Sequence, residues 1–194
     1  MKILIACEFS GRVRDEFIRL GFDAVSCDLL PSDAPGPHYR GDVRDLLSLE
    51  RFDLMIAFPP CTYLASSGIH WNSRRPERAR LTDEAVEFFR FLLDAPIPRI
   101  AVENPVGVIS TRIRPPDQYI HPWQFGEDAS KKTCLWLKNL PSLIPTNVIK
   151  KERYSNQTPS GQNKLGPSPD RWKLRSLTYP GIARAMAEQW SMML

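Results

Sequence analysis

Apolar positions along the chain follow two rhythms, short unbroken runs and longer stretches with a helical period. Residues 2–7 (KILIAC) form a run of the first kind, Gly11 breaks the loop after it, and residues 12–20 carry Val13, Phe17 and Leu20 at helical spacing. Gly21 ends that helix, and residues 24–27 give a second short strand terminating at Asp28. Residues 31–37 (PSDAPGP) are a loop by composition. Residues 54–58 (LMIAF) read as a buried strand that stops at Pro59-Pro60, since proline cannot donate to a ladder. Beyond it, residues 77–93 have a helical period that includes Phe88, Phe89, Leu92 and Leu93. Residues 100–102 supply a strand ending at Glu103-Asn104-Pro105, residues 134–137 (CLWL) another, and residues 179–192 a closing amphipathic helix. Short apolar strands alternating with helices predict an α/β, doubly wound sheet with ligands at the strands' C-terminal ends. Glu8, Asp28, Asp42, Cys61 and Glu103 then fall along one rim. Residues 140–173, rich in Pro, Ser, Asn, Gln and basic side chains, break the alternation and read as an irregular surface excursion.

Composition narrows this picture only in places. A chain of 194 residues has the size of one domain, expected over 1–194, and buries a core without disulfides or metal. The net charge of +4 suits a polyanionic partner but is also common among proteins that never touch nucleic acid. The cysteines at 7, 27, 61 and 134 form no CxxC pair, and no histidine stands at a metal-ligand spacing, so no metal is expected. Cys7, Cys27 and Cys134 lie in apolar runs and read as small buried hydrophobes; Cys61 follows two prolines in a loop where a thiol can be reached. The first apolar run is too short for a secretory signal and no later one has the length of a membrane span. The expectation is a soluble, cytoplasmic, reduced protein, with no prediction of oligomeric state.

The sharpest chemical feature is Phe58-Pro59-Pro60-Cys61-Thr62 directly after a strand. The prolines fix the backbone that carries the thiol and leave it projecting from the rim. A bare Pro-Cys dipeptide is common and is seldom catalytic; its place at a strand end gives it weight. Glu103, after the next strand, is the second feature, because a desolvated rim carboxyl can hold a proton near neutral pH. Alone it reads as a loop or capping acid. Together the two supply a nucleophile and an acid on neighbouring strand ends.

Pro60-Cys61 and Glu103-Asn104 resemble the catalytic motifs of the DNA (cytosine-5) methyltransferases, in the form of a short, phage-like member. The resemblance implies a Rossmann-like, S-adenosylmethionine-dependent methyltransferase fold. It also implies a mechanism in which Cys61 adds to carbon 6 of a flipped cytosine and Glu103 protonates or hydrogen-bonds nitrogen 3. Carbon 5 is a poor nucleophile until a covalent partner at carbon 6 breaks the aromaticity, so the chemistry needs these residue types. Cys7-Glu8-Phe9-Ser10-Gly11 resembles the loop that packs on the cofactor's methionine portion, Asp28 the acid on the ribose, and Asp42 the acid on the adenine amino group. The segment from Arg175 to Ala183 resembles the motif that completes the cofactor pocket. Implied cofactor contacts are thus Glu8, Phe9, Ser10, Gly11, Asp28, Asp42, Pro59, Pro60 and Ser176.

Two departures stand out. Residues 126–135 (GEDASKKTCL) match the position of the base-contacting motif, yet Thr133 occupies its arginine position and only Lys131 and Lys132 are basic. Lysine offers a point charge, not a planar fork. Base contacts are expected from Asn104, Lys131, Lys132 and Thr133. Also, where the family carries a recognition domain, only residues 140–173 remain; their Lys150, Lys151, Arg171 and Lys173 are expected to track a DNA backbone. The segment after Cys61, with Tyr63, His70, Trp71, Arg74 and Arg75, is a further candidate for closing over substrate. Readings kept beside this one are the same chemistry on a free nucleotide or RNA, a non-catalytic nucleic-acid-binding relative, and a Cys-dependent hydrolase. For the last, no histidine marks itself as the partner base.

Overall fold

The computed structural model describes residues 1–194. Seven strands form one sheet: β1 (Lys2–Ala6), β2 (Asp23–Asp28), β3 (His38–Arg40), β4 (Leu54–Ala57), β5 (Arg99–Pro105), β6 (Gln118–Ile120) and β7 (Thr133–Lys138). Their order is β3-β2-β1-β4-β5-β7-β6, with the first five parallel and β7 antiparallel to both of its neighbours. The helices are α1 (Arg12–Arg19), α2 (Val43–Leu49), α3 (Ser66–Ile69), α4 (Pro76–Leu93), α5 (Ile109–Arg112), α6 (Arg171–Ser176) and α7 (Pro180–Ser191). None is long and apolar enough to cross a membrane.

The central strands read as continuous apolar runs because both faces of the sheet are covered. Along β1 and β4 the side chains alternate between two cores, as the pleat requires. Ile3, Ile5, Leu54 and Ile56 pack with Val13 and Phe17 of α1 and Met186 and Trp190 of α7. Leu4, Ala6, Met55 and Ala57 pack with Val43 of α2 and Val86 and Phe89 of α4. These strand side chains are wholly buried, and for the larger ones burial contributes about 1.5–3 kcal/mol each.

Three elements lack an apolar signature strong enough to stand out in the sequence. β3 (HYR) and β6 (QYI) are short edge strands, and α2 is announced mainly by its cap, where the Asp42 carboxylate accepts from the Arg44 amide at 2.8 Å. A further difference bears on the site. Glu103 and Asn104 lie inside a strand and not in a loop beyond it, because β7 pairs with β5 as far as Pro105. The irregular reading of residues 140–173 holds for most of its length, but α6 begins at Arg171.

Nothing in the helical period marks Arg14, which is fully buried. Its guanidinium donates to Asp15 Oδ1 at 2.8 Å, the Pro35 carbonyl at 2.9 Å and Ser26 Oγ at 3.1 Å. A buried charge is tolerated when it is paired and its donors are used, and here that requirement ties the loop at 31–37 to β2.

Candidate active site

Between β1 and β4 the strand order reverses direction, which is where doubly wound sheets open a crevice at their C-terminal ends. A cavity of about 220 Å³ lies there, lined by Cys7 after β1, Asp28 and Leu29 at β2, Asp42 and Arg44 at α2, Pro60 after β4 and Phe88 of α4. Cys7 leaves β1 in the left-handed region at φ 57, so the chain turns out of the sheet at the cavity's edge. Asp28 Oδ1 accepts from the Leu30 amide at 2.9 Å, and burial raises its pKa despite that bond. Asp42 divides its oxygens between the α2 cap and Arg44, 3.1 Å away. The lining therefore offers two carboxylates and the apolar surfaces of Leu29, Pro60 and Phe88.

Of the implied cofactor contacts, Asp28, Asp42 and Pro60 line this cavity, while the Glu8 to Gly11 loop and Ser176 do not. Glu8 is buried and spends its carboxylate on the start of α1, accepting from the Val13 amide at 2.8 Å and Ser10 Oγ at 3.1 Å. Phe9 is buried under Trp172, ring centres 6.0 Å apart. Ser176 Oγ donates to the Lys173 carbonyl at 2.8 Å within α6. Pro59 is buried beneath the rim. Phe88 and Arg44 were not singled out by pattern. The adjacent pair Phe88-Phe89 held the signal, since neighbours on a helix cannot both face the core; Phe89 is fully buried and Phe88 reaches the cavity.

Cys61 stands exposed at the rim, and two neighbouring loops are stitched together behind it. The Val108 amide donates to the Leu64 carbonyl at 2.9 Å and the Ser66 amide to the Val106 carbonyl at 3.0 Å. Gly107 makes this contact feasible: a Cβ there would stand 1.9 Å from the Leu64 carbonyl oxygen. Asn104, expected at the base, instead faces inward at 1% exposure, and its Nδ2 donates to the Pro59 carbonyl at 2.8 Å. One residue of β5 thus anchors the turn that presents Cys61, while its neighbour Glu103 points to the opposite face of the sheet.

The Cys61 residue is exposed, but its sulphur sits low enough that partial desolvation raises the thiol's pKa. The Glu103 charge adds to the rise, and Lys131 and Arg175 oppose it. Burial raises the Glu103 carboxyl too, against Lys131 and a hydrogen bond from Thr133. The groove beside Glu103, lined by Lys131, Thr133, Thr178, Tyr179 and Ile182 among others, has room for about 10 Å³, one water at most. Lys131 Nζ crosses it to donate to the Arg175 carbonyl at 3.0 Å, and Arg12 donates to the Thr178 carbonyl at 2.8 Å. Lys131 and Thr133 are therefore brought to Glu103. Lys132 lies outside the groove, over the ring of Tyr119 at 4.3 Å.

The basic residues of the excursion divide. Lys151 is paired with Asp128 at 2.6 Å and Lys173 with Asp33 at 2.7 Å, whereas Lys150 and Arg171 make no ion pair.

No protein-family model matches the chain, and no curated protein matches it in sequence. Among solved structures it is similar to a candidate DNA modification methyltransferase encoded within a prophage (E. coli). That similarity has 14% identity and a TM-score of 0.48, and covers 77% of this chain and 52% of that one. The chain thus spans about half the length of that neighbour.

Proposed function

We propose that this chain is an S-adenosylmethionine-dependent methyltransferase acting on carbon 5 of cytosine in DNA, with Cys61 as nucleophile and Glu103 as acid. The observation that carries the reading is a single rim bearing an exposed thiol at the end of β4, a desolvated carboxyl on the adjacent β5, and a cavity with two carboxylates at the sheet's switch point. The reading takes residues 1–194 as one catalytic unit in a reducing, cytoplasmic setting.

The cavity's chemistry fits the cofactor. Asp28 can accept from ribose hydroxyls, Asp42 from an exocyclic amine, and Leu29, Pro60 and Phe88 offer apolar surface to a purine. When bound, the cofactor supplies an electrophilic methyl group. The chain's own residues prepare the base to accept it. Cys61, as thiolate, forms a bond from Sγ to carbon 6, and the electron pair released into the ring makes carbon 5 nucleophilic. Glu103 holds a proton at nitrogen 3, so that negative charge does not build up on the ring. After methylation, carbon 5 gives its proton to solvent water, the electron pair of that C–H bond forms the carbon 5–carbon 6 double bond as the carbon–sulphur bond breaks with its electrons returning to sulphur, and Glu103 recovers its proton from nitrogen 3.

The two groups are coupled through charge. While Glu103 is ionised its charge opposes ionisation of Cys61, and a proton taken up by the Glu103 carboxyl removes that opposition. Lys131 and Arg175 favour the thiolate as well. The groove beside Glu103 must open before a pyrimidine enters, which calls for movement of the Lys131 side chain or of the chain at Thr178–Tyr179.

A second reading keeps this chemistry but acts on RNA or a free cytosine nucleotide; the 140–173 segment, irregular for most of its length, favours it. DNA containing 5-fluorocytosine tests both. Fluorine cannot leave as a proton does, so elimination is blocked, and a denaturant-stable adduct is expected that requires S-adenosylmethionine and disappears in Cys61→Ser. An adduct that persists in Cys61→Ser sinks the mechanism. An adduct formed on fluorinated RNA or nucleotide but not on DNA moves the substrate to the second reading.

A further inference from the structure

We infer that the segment following Cys61 is a platform for an unstacked base in single-stranded or locally opened DNA, Trp71 taking the base and Arg74 and Arg75 the flanking phosphates. The inference rests on the DNA reading above and goes further in naming the surface and the state of the strand. Trp71 is 39% exposed, so part of its indole is open to solvent, and it has two arginines beside it. The guanidinium groups of Arg74 and Arg75 lie 5.7 and 5.0 Å from its ring centre, and the His70 ring lies 5.0 Å away. Neither arginine meets a carboxylate at ion-pairing distance, in contrast to Lys151 and Lys173 of the 140–173 segment. Their charges are therefore uncommitted.

The support beneath these side chains is firmly built. Asn72 Nδ2 donates to Thr82 Oγ1 at 2.8 Å, and that hydroxyl donates to the Tyr63 carbonyl at 3.1 Å. Thr82 belongs to α4 and is 1% exposed. Arg78 donates to the carbonyls of Thr62 at 2.9 Å and Gly68 at 3.2 Å, with its guanidinium 4.9 Å from the Tyr63 ring centre. The inner residues pin the segment to α4 while Trp71, Arg74 and Arg75 face water ten to fourteen residues beyond the nucleophile. A flat π surface flanked by unpaired cations complements a chain of stacked rings and phosphates. In the free protein the guanidinium groups cover the indole. On binding, a base takes the ring face and the arginines swing out to phosphate. A paired duplex keeps its bases stacked on one another and cannot use the indole, which is why the platform selects opened strand.

Fluorescence anisotropy of the full chain on labelled single-stranded and duplex DNA of one sequence, without cofactor, tests this. Trp71→Ala is expected to weaken single-strand binding roughly 5- to 100-fold, with Trp71→Phe retaining most of it and duplex binding changing less. The Arg74→Gln/Arg75→Gln double variant should reduce the slope of log affinity against log salt by about 1 to 2. Single-strand affinity unchanged in both variants overturns the platform, as does a wild-type protein that binds RNA of the same sequence in clear preference to DNA. Should Trp71→Ala prove misfolded by circular dichroism, the ring-conserving Trp71→Phe and the arginine pair's salt slope decide. The 5-fluorocytosine adduct separates the two ideas. An adduct with unaffected variants removes the platform and leaves the methyltransferase; no adduct with weakened variants does the reverse.

Discussion

The cavity between β1, β2 and β4 has a volume of about 220 Å³, while the groove beside Glu103 on the same rim is closed to about 10 Å³. The difference follows from how each is assembled. The cavity is walled by the ends of adjacent parallel strands and the start of α2, backbone that the sheet itself holds apart. The groove is walled by long side chains and by the approach to α7, with Lys131 reaching across to the Arg175 carbonyl. One side is therefore ready for a small ligand, and the other admits one only after contacts made by exposed groups are given up. That contrast suits an enzyme whose cofactor binds unaided and whose macromolecular substrate supplies the binding energy to open its own pocket.

The two sides should respond to substitution independently, and the largest effect is expected on the closed one. Glu103→Gln should lower methyl transfer by roughly 10²- to 10⁴-fold, since an amide hydrogen-bonds the ring but cannot supply a proton. Calorimetric binding of S-adenosylmethionine should stay as in the wild type; a matching loss of cofactor affinity would show that the two sides are one site. On the open side, Asp28→Ala should weaken cofactor binding by about 2–3 kcal/mol, because hydroxyls lose a charged acceptor that is partly desolvated. Unchanged affinity in calorimetry removes the cofactor from this cavity.

The smallest effect is the most informative about geometry. Burial and then the Glu103 charge raise the Cys61 thiol, so removing that charge in Glu103→Gln should move the thiol's titration to lower pH. Alkylation of Cys61 by iodoacetamide at a pH below the wild-type midpoint should then run faster in the variant, by roughly 2- to 10-fold. Cys61→Ser supplies the blank for the other three cysteines, which are half-buried or buried; burial pushes Cys134, for example, up to about 11. A slower reaction would mean that Glu103 assists ionisation of the thiol and does not oppose it, which reverses the assignment of charge at the rim.

Much of the architecture was legible in the chain because buried parallel strands must be apolar throughout and their helices must show one apolar stripe. β1, β2, β4, α1, α4 and α7 all carry that signature, and it places Asp28 at the end of β2 and Pro60 and Cys61 just beyond β4. The edge strands β3 and β6 do not, since an edge buries little and tolerates tyrosine, histidine and glutamine.

By itself the sequence determined which residues can do chemistry and, to within a few positions, where they stand relative to the sheet: the thiol after two prolines, the acid after an apolar run that β5 in fact extends to Pro105, the carboxylates at 28 and 42. Only the tertiary structure decided what those residues face. Pairing of β7 with β5 turned Glu103 and its neighbour Asn104 to opposite faces, one to the groove and one to the Pro59 carbonyl. Folding likewise committed Glu8 to the start of α1 and buried Arg14 beneath the 31–37 loop. The physical reason is that apolar burial is read from local pattern, whereas a polar side chain takes its role from the donor or acceptor that meets it, and that partner comes from elsewhere in the chain.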